Sequence, residues 1–262
     1  MPETVDQIKK RLKDVSADEF KVLKRSLAAD ERKGVKEALK LTERRLKAQS
    51  EEAKRIQKIY DFDAQLAREK NAKLVLGLDE VGRGPLAGPL AVGGVILDYG
   101  EKIDGVNDSK QVKPDARTHI AEKIKHQALA WTVQYIEPER IDEFGMTKAL
   151  RVAFTQAIHA IEAQGYKPDL ILLDGNPLDL DDREINIIKG DAQSAAIAAA
   201  SIIAKVDRDE IMCAYAKQYP QYHFEDCKGY ASEAHQEAIR KYGLCPIHRK
   251  SFCGAFLQDS LF

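Results

Sequence analysis

Residues 73–90 read KLVLGLDEVGRGPLAGPL, which sets Asp79 and Glu80 side by side at the end of an apolar strand. Paired carboxylates are hard oxygen donors of the kind that hold Mg²⁺ or a similar divalent cation. Successive strand residues point to opposite faces, so both can serve one site only if the chain bends. Gly82 and Gly84 permit that bend, and the Gly-Arg-Gly-Pro turn lets main-chain amides come close to a ligand. Asp174 closes a second apolar strand, LILLDG (170–175), and Asp191 closes a third, EINIIKGD (184–191). Ligand sites in open α/β sheets lie at the carboxyl ends of strands. Asp191 also precedes a helix, where an N-cap is the alternative role; the three other carboxylates at strand exits favour a chemical one. Four carboxylates on one sheet edge repel unless cations neutralise them. Two divalent ions about 3.5–4 Å apart, clamping the attacking and leaving oxygens of a phosphodiester, would solve that problem.

The elements that must carry these residues are legible from pattern. Strands are expected over 73–79 and 89–97, too close in sequence for a helical crossover and therefore antiparallel neighbours. A further strand is expected over 129–136. Helices are expected over 114–127, 138–145, 147–164 and 232–241, with a long one over about 192–218 whose first half is almost all small residues. Small faces allow close helix–sheet approach and would hold Asp191 near the strand ends. Three meandering strands followed by strands joined through helices indicate an α/β domain with a mixed, twisted sheet. Residues 5–70 contain Gly34 as their one breaker and are rich in Lys, Glu, Ala, Leu and Arg. They read as two or three helices, one opened by a capping box at Ser16–Glu19 and the last running from about 28 or 35 to 66. The expected division is a helical extension over 1–70 and a catalytic domain over 71–262 with a helical C-terminal segment.

In 262 residues no apolar run reaches membrane-spanning length, and the start, MPETVDQIKKRLKDV, lacks the apolar core of a signal peptide. Cys213, Cys227, Cys245 and Cys253 show neither CxxC pairing nor zinc-ligand spacing. Reduced thiols in a cytoplasmic protein are expected. Residues 1–70 hold 19 Lys+Arg against 14 Asp+Glu, net +5, while 71–262 hold 22 against 28, net −6. An acidic body suits a carboxylate-built site, and a basic leader could attract a polyanion. Lys205 and Arg208 could reach phosphates or pair with Asp207 or Asp209. Tyr230, after a glycine and before a helix, is either an exposed ring able to stack on a sugar or base or a half-buried core residue. A dinucleotide-binding fold is excluded because Pro85, Pro89 and the strand-like run to Leu97 deny the glycines a following helix. A binding module with an inactive body is a poorer account, since all four carboxylates are present.

DEVGRGPLAGP (79–89), DSK (108–110), LLDG (172–175), KGDAQSAAIAAASIIAKVDRD (189–209), KGY…H (228–235) and HRKSF (248–252) together resemble ribonuclease HII, the bacterial type 2 ribonuclease H, across roughly 72–255. Ala231 stands where many relatives carry glycine, and the surroundings of Cys227 are atypical. The resemblance implies a ribonuclease H-like mixed five-stranded sheet flanked by helices. It implies that Asp79, Glu80, Asp174 and Asp191 are the catalytic ligands of two Mg²⁺ or Mn²⁺ ions, one activating a water for in-line attack and one stabilising the departing 3′-oxygen. Its implied substrates are RNA–DNA hybrids and duplex DNA with embedded ribonucleotides, cut on the 5′ side to leave a 3′-hydroxyl and a 5′-phosphate during replication and repair. By the same resemblance the Gly82-Arg83-Gly84 backbone recognises the 2′-hydroxyl, Tyr230 stacks on the sugar of the next deoxynucleotide, and Ser109 and Lys110 hold backbone phosphates. A cytoplasmic monomer is expected.

Overall fold

The structure is a computed structural model and describes residues 3–107, 109 and 112–257. The DSK residues Asp108 and Lys110 lie outside the described residues, and with them the expected Lys110 contact. Contacts divide the chain into Met1–Gln57 and Lys58–Phe262.

In the first unit, α1 (Val5–Lys13) and α2 (Ala17–Ser26) each open with a reciprocal capping box, Thr4 with Gln7 and Ser16 with Glu19. Each box satisfies amides that a helix start otherwise leaves bare. Ile8, Leu12, Phe20, Val35 and Ala38 form this unit's small core. The third helix, α3 (Lys33–Glu69), is one uninterrupted run whose C-terminal part belongs to the second unit.

The second unit is built on β1 (Val75–Val81), β2 (Leu90–Ile96), β3 (Ala130–Ile136), β4 (Leu170–Asp174) and β5 (Glu184–Ile187), in the order β3-β2-β1-β4-β5. The first three form an antiparallel meander; β4 and β5 run parallel to β1. Helices α4 (Pro114–Gln127), α5 (Pro138–Phe144), α6 (Met146–Ala163), α7 (Ala195–Gln218), α8 (Phe224–Cys227), α9 (Glu233–Tyr242) and α10 (Gly254–Leu257) complete it. Ala149, Ala153, Phe154, Ala157, Ile158 and Ile161 of α6 join Leu76, Leu78, Val92 and Ile171 in a core on one side of the sheet. Proline at the first turn, where no amide acceptor is lost, starts both α4 and α5.

Helix α7 lies almost flush against the sheet because glycines face it. A Cβ on Gly77 would stand 2.2 Å from the Ala196 carbonyl carbon, and one on Gly93 would stand 2.3 Å from the Ala200 carbonyl oxygen. Backbone cannot yield as a flexible side chain does. Gly77→Ala is therefore expected to lower stability by about 2–3 kcal/mol, which in a domain of this size is a fall of roughly 5–10 °C in Tm. A thermal melt within a degree of wild type would show that the helix can back away freely.

The α7 start is also held from the end of α3. Asp63 is fully buried, and its Oδ2 accepts from the Ala196 amide at 2.9 Å and the Tyr99 hydroxyl at 3.0 Å. Burial pushes its carboxyl up to about 6, against hydrogen bonds from Ser194, Ala196 and Tyr99 that pull the other way. The folded state then keeps a proton that the unfolded chain has lost over about pH 4 to 6, so this group's contribution to stability falls as pH rises through that window. Between the two pKa values the change amounts to about 3 kcal/mol. Denaturant unfolding of wild type and Asp63→Asn across that range should show wild type losing ground to the variant and the difference levelling above it. A difference independent of pH would contradict the assignment.

Two expectations are corrected here. The third strand stops at Ile187, not Asp191: Lys189 takes a left-handed φ of 57°, and Gly190–Ala192 form a 3₁₀ turn. The long helix starts at Ala195, with the Ser194 Oγ accepting from the Ile197 amide at 3.2 Å. Ser194, not Asp191, is its cap.

Candidate active site

Parallel pairing sets Leu78 of β1 opposite Leu173 of β4, which brings Asp79 and Asp174, the next residue on each strand, to adjacent positions on one sheet edge. Side chains at matched positions of parallel neighbours share a face, so these two carboxylates lean together. Strand β1 does not bend between Asp79 and Glu80; it stays paired through Val81, with Glu80 opposite Val92. The bend follows at Gly82, whose φ is +94°. The two adjacent carboxylates thus leave the strand in alternate directions, yet the Asp174 charge acts on both. Asp191 arrives from the 3₁₀ turn rather than a strand end, and its neighbour Gly190 donates its amide to Asp174 Oδ1 at 2.5 Å.

The cluster is electrostatically strained as it stands. Burial, then the charges of Glu80 and Asp174, hold the Asp79 carboxyl well above the usual range, although the Ser201 hydroxyl and the Glu80 amide both bond it. Glu80 is also raised, by burial first, with Arg83 pulling the other way. Arg83 Nη1 sits 3.1 Å from Glu80 Oε1. Among the described residues no three of the four carboxylates bring one donor oxygen each within 4.8 Å of one another; the side chains that do bring one ligand atom each that close are His223, Glu225 and Asp226, exposed on the surface. The reason is visible in their contacts: Asp174 Oδ1 turns to Gly190, Asp79 Oδ1 to the Glu80 amide and Glu80 Oε1 to Arg83. An all-oxygen set of carboxylates, Asp79 and Asp191 buried and Glu80 and Asp174 half-buried, fits a hard divalent cation.

Beyond the carboxylates, the turn at Gly82–Pro89 lies against Tyr230. A Cβ on Gly84 would meet Tyr230 Cε1 at 3.9 Å, so the ring stands one methyl group's contact distance from the glycine. Tyr230 is 43% exposed, so it is not a core residue and its ring is open to a ligand. Ser109 is buried and its hydroxyl bonds that of Ser201 at 3.0 Å, in a chain of hydroxyls ending on Asp79. Lys205 pairs with Asp209 at 2.6 Å. Arg208 does neither of the things its sequence position suggested. It is fully buried and donates to the carbonyls of Ala87, Pro89 and Lys228. Pattern alone singles out none of Ser201, His235, His248 and Arg249 for a site role, although all four fall inside the quoted motifs.

A family model described as Ribonuclease HII matches residues 76–255, and one described as Ribonuclease HII N-terminal domain matches residues 4–67. The chain belongs to the ribonuclease HII family. It is 42% identical over 208 residues to the ribonuclease HII of Ruminiclostridium cellulolyticum, covering 79% of this chain and 80% of that one. It is 45% identical over 196 residues to the ribonuclease HII of Endomicrobium trichonymphae, covering 74% and 91%. The fold resembles the crystal structure of ribonuclease H2 from Pyrococcus horikoshii, with TM-score 0.61 and 28% identity, covering 71% of this chain and 98% of that one. Ribonuclease HII is a nuclease family, a type 2 ribonuclease H, and the five-stranded mixed sheet flanked by helices is its fold. No helix among the described residues is long and apolar enough to cross a membrane.

Proposed function

We propose that this ribonuclease HII hydrolyses the RNA strand of RNA–DNA hybrids and nicks duplex DNA on the 5′ side of an embedded ribonucleotide, leaving a 3′-hydroxyl and a 5′-phosphate. The observation that carries the reading is the register that sets Asp79 beside Asp174, with the glycine turn and Tyr230 following directly. Asp79, Glu80, Asp174 and Asp191 are the residues assigned to hold two divalent ions, Mg²⁺ or Mn²⁺. Bound there, such ions would neutralise the phosphodiester and activate water for in-line attack. The chain's own part is to hold that oxygen set rigid at the sheet edge, between strands and the flush-packed α7. The Arg83 and Gly84 amides read the ribose 2′-hydroxyl, the group that separates RNA from DNA. Tyr230 stacks on the sugar of the following deoxynucleotide. The N-terminal helices, net basic, are assigned to a separate extension over 1–70, and the enzyme to a monomer working in the cytoplasm.

The test is cleavage of a duplex bearing one ribonucleotide, with Mg²⁺ and Mn²⁺ compared and the product ends mapped. A cut 5′ to the ribonucleotide, giving 3′-hydroxyl and 5′-phosphate ends, is expected. Cleavage confined to long hybrids, or on the 3′ side, would overturn the proposal.

A further inference from the structure

Two buried arginines stand behind the glycine turn without an acid partner. Arg249 and Arg208 are both fully inaccessible to solvent, and among the described residues neither forms an ion pair. Arg249 Nη2 donates to Gly82 O at 2.7 Å and Gly88 O at 2.8 Å, Nη1 to Arg83 O at 3.1 Å, and Nε to Gly88 O at 3.0 Å. A buried charge is costly unless its hydrogen bonds are met. Here main-chain carbonyls meet them, so the direction of each carbonyl is tied to the guanidinium fork. Among the described residues no peptide is cis. In a trans peptide the N–H points opposite to the C=O. Turning the Gly82 and Arg83 carbonyls inward therefore turns the Arg83 and Gly84 amides outward, and neither amide has an acceptor among the described residues.

The preceding residue, His248, connects to the Tyr230 carbonyl through His235. The Cys245 amide donates to His248 Nδ1 at 2.9 Å, which leaves the His248 proton on Nε2. That proton faces His235 Nε2 at 3.1 Å, so His235 carries its own proton on Nδ1 and donates it to Tyr230 O at 2.8 Å. One set of neutral tautomers satisfies the whole chain. Both rings are buried, and burial lowers both, His248 to about 4. Backbone bonds from Leu86 to Gly229 at 2.8 Å and from Arg249 to Leu86 at 2.8 Å join the two parts.

We infer that His248 and Arg249 are positioning residues for ribose selection: Arg249 aims the Arg83 and Gly84 amides at the sugar, and His248, through His235, seats Tyr230 beside Gly84. Two adjacent residues of the C-terminal segment thereby fix the distance between the two readers. The inference rests on the proposed reading of the turn and Tyr230 as ribose and junction readers.

The experiment compares kcat/KM on a single-ribonucleotide duplex and on a long hybrid for Tyr230→Ala, His248→Gln, their double variant and Arg249→Lys. Lysine keeps the charge but loses the fork, so Arg249→Lys should lower kcat/KM on both substrates by about tenfold to a hundredfold, the worth of one or two hydrogen bonds to a charged group. His248→Gln should lower the single-ribonucleotide activity selectively, and the double variant should lose no more of the substrate ratio than Tyr230→Ala alone. Additive losses, a folded His248→Gln with the wild-type ratio, or a folded Arg249→Lys with wild-type activity on both substrates overturn the inference while leaving the function intact. Tyr230→Ala with an unchanged ratio overturns the junction reading and the inference with it. Amide hydrogen exchange on the wild type supplies a measurement free of folding artefacts. Without divalent cations, the Arg83 and Gly84 amides should exchange rapidly in the free protein and be protected by a single-ribonucleotide duplex more than by its all-deoxy counterpart. Protection of both amides in the free protein would refute the geometry.

Discussion

Asp79→Asn is expected to abolish hybrid cleavage, by roughly a thousandfold or more, while leaving the protein as stable as wild type or more so. The loss follows from the value of metal-assisted charge neutralisation, several kcal/mol, at about 1.4 kcal/mol per tenfold in rate. The stability result follows from the native environment. Asp79 is buried at 6% exposure and hemmed by Glu80 and Asp174, so its ionised form is disfavoured in the folded protein without cations. Asparagine has nearly the same shape and no charge, and it can still accept the Glu80 amide that now bonds Asp79 Oδ1 at 2.8 Å. A thermal melt in chelator, a hybrid-binding titration and a cleavage assay on the same preparation distinguish this from misfolding. Turnover within tenfold of wild type would remove Asp79 from the chemistry. Loss of activity with a large drop in Tm would make it a structural residue.

Much of this architecture was readable because its causes are local. Pro114 and Pro138 start their helices where proline costs nothing, Ser16 and Glu19 form the box their spacing suggests, and the short link between β1 and β2 admits only an antiparallel pair. The misplaced features depend on contacts distant in sequence. Asp191 was assigned to a strand end because EINIIKGD is apolar and β-branched; the strand gives way where Gly190 turns to bond Asp174, sixteen residues earlier. The bend that Gly82 permits does fall there, just after Val81, because β2 keeps pairing with the strand through Ala91. Arg208 looked like a surface cation because Asp207 and Asp209 flank it. Its burial depends on the carbonyls of Ala87 and Pro89, some 120 residues away. Pattern reveals which groups bear charge, but the acceptors that satisfy a buried guanidinium belong to a turn that exists only once the sheet has formed.

Tyr230→Ala is expected to cost about fivefold to a hundredfold in kcat/KM on a duplex with a single ribonucleotide, the worth of one aromatic stacking contact, and only a few fold on a long hybrid. The asymmetry comes from how many ways each substrate can be seated. A single ribonucleotide offers one productive register, in which the next sugar lacks a hydroxyl and presents its face to the ring. A long hybrid offers many registers, all with a 2′-hydroxyl at that sugar, so a contact tuned to the deoxy sugar contributes less. The ring's exposure and its place beside Gly84 mean that its removal opens no cavity, so Tm should hardly change. Gly229, with φ of +85° and its Cβ position blocked by Ala87 O at 2.3 Å, keeps the main chain in the same path when the side chain is cut back. Equal losses on both substrates would mean that Tyr230 contributes general affinity, and that discrimination at the RNA–DNA junction resides in the Arg83 and Gly84 amides alone.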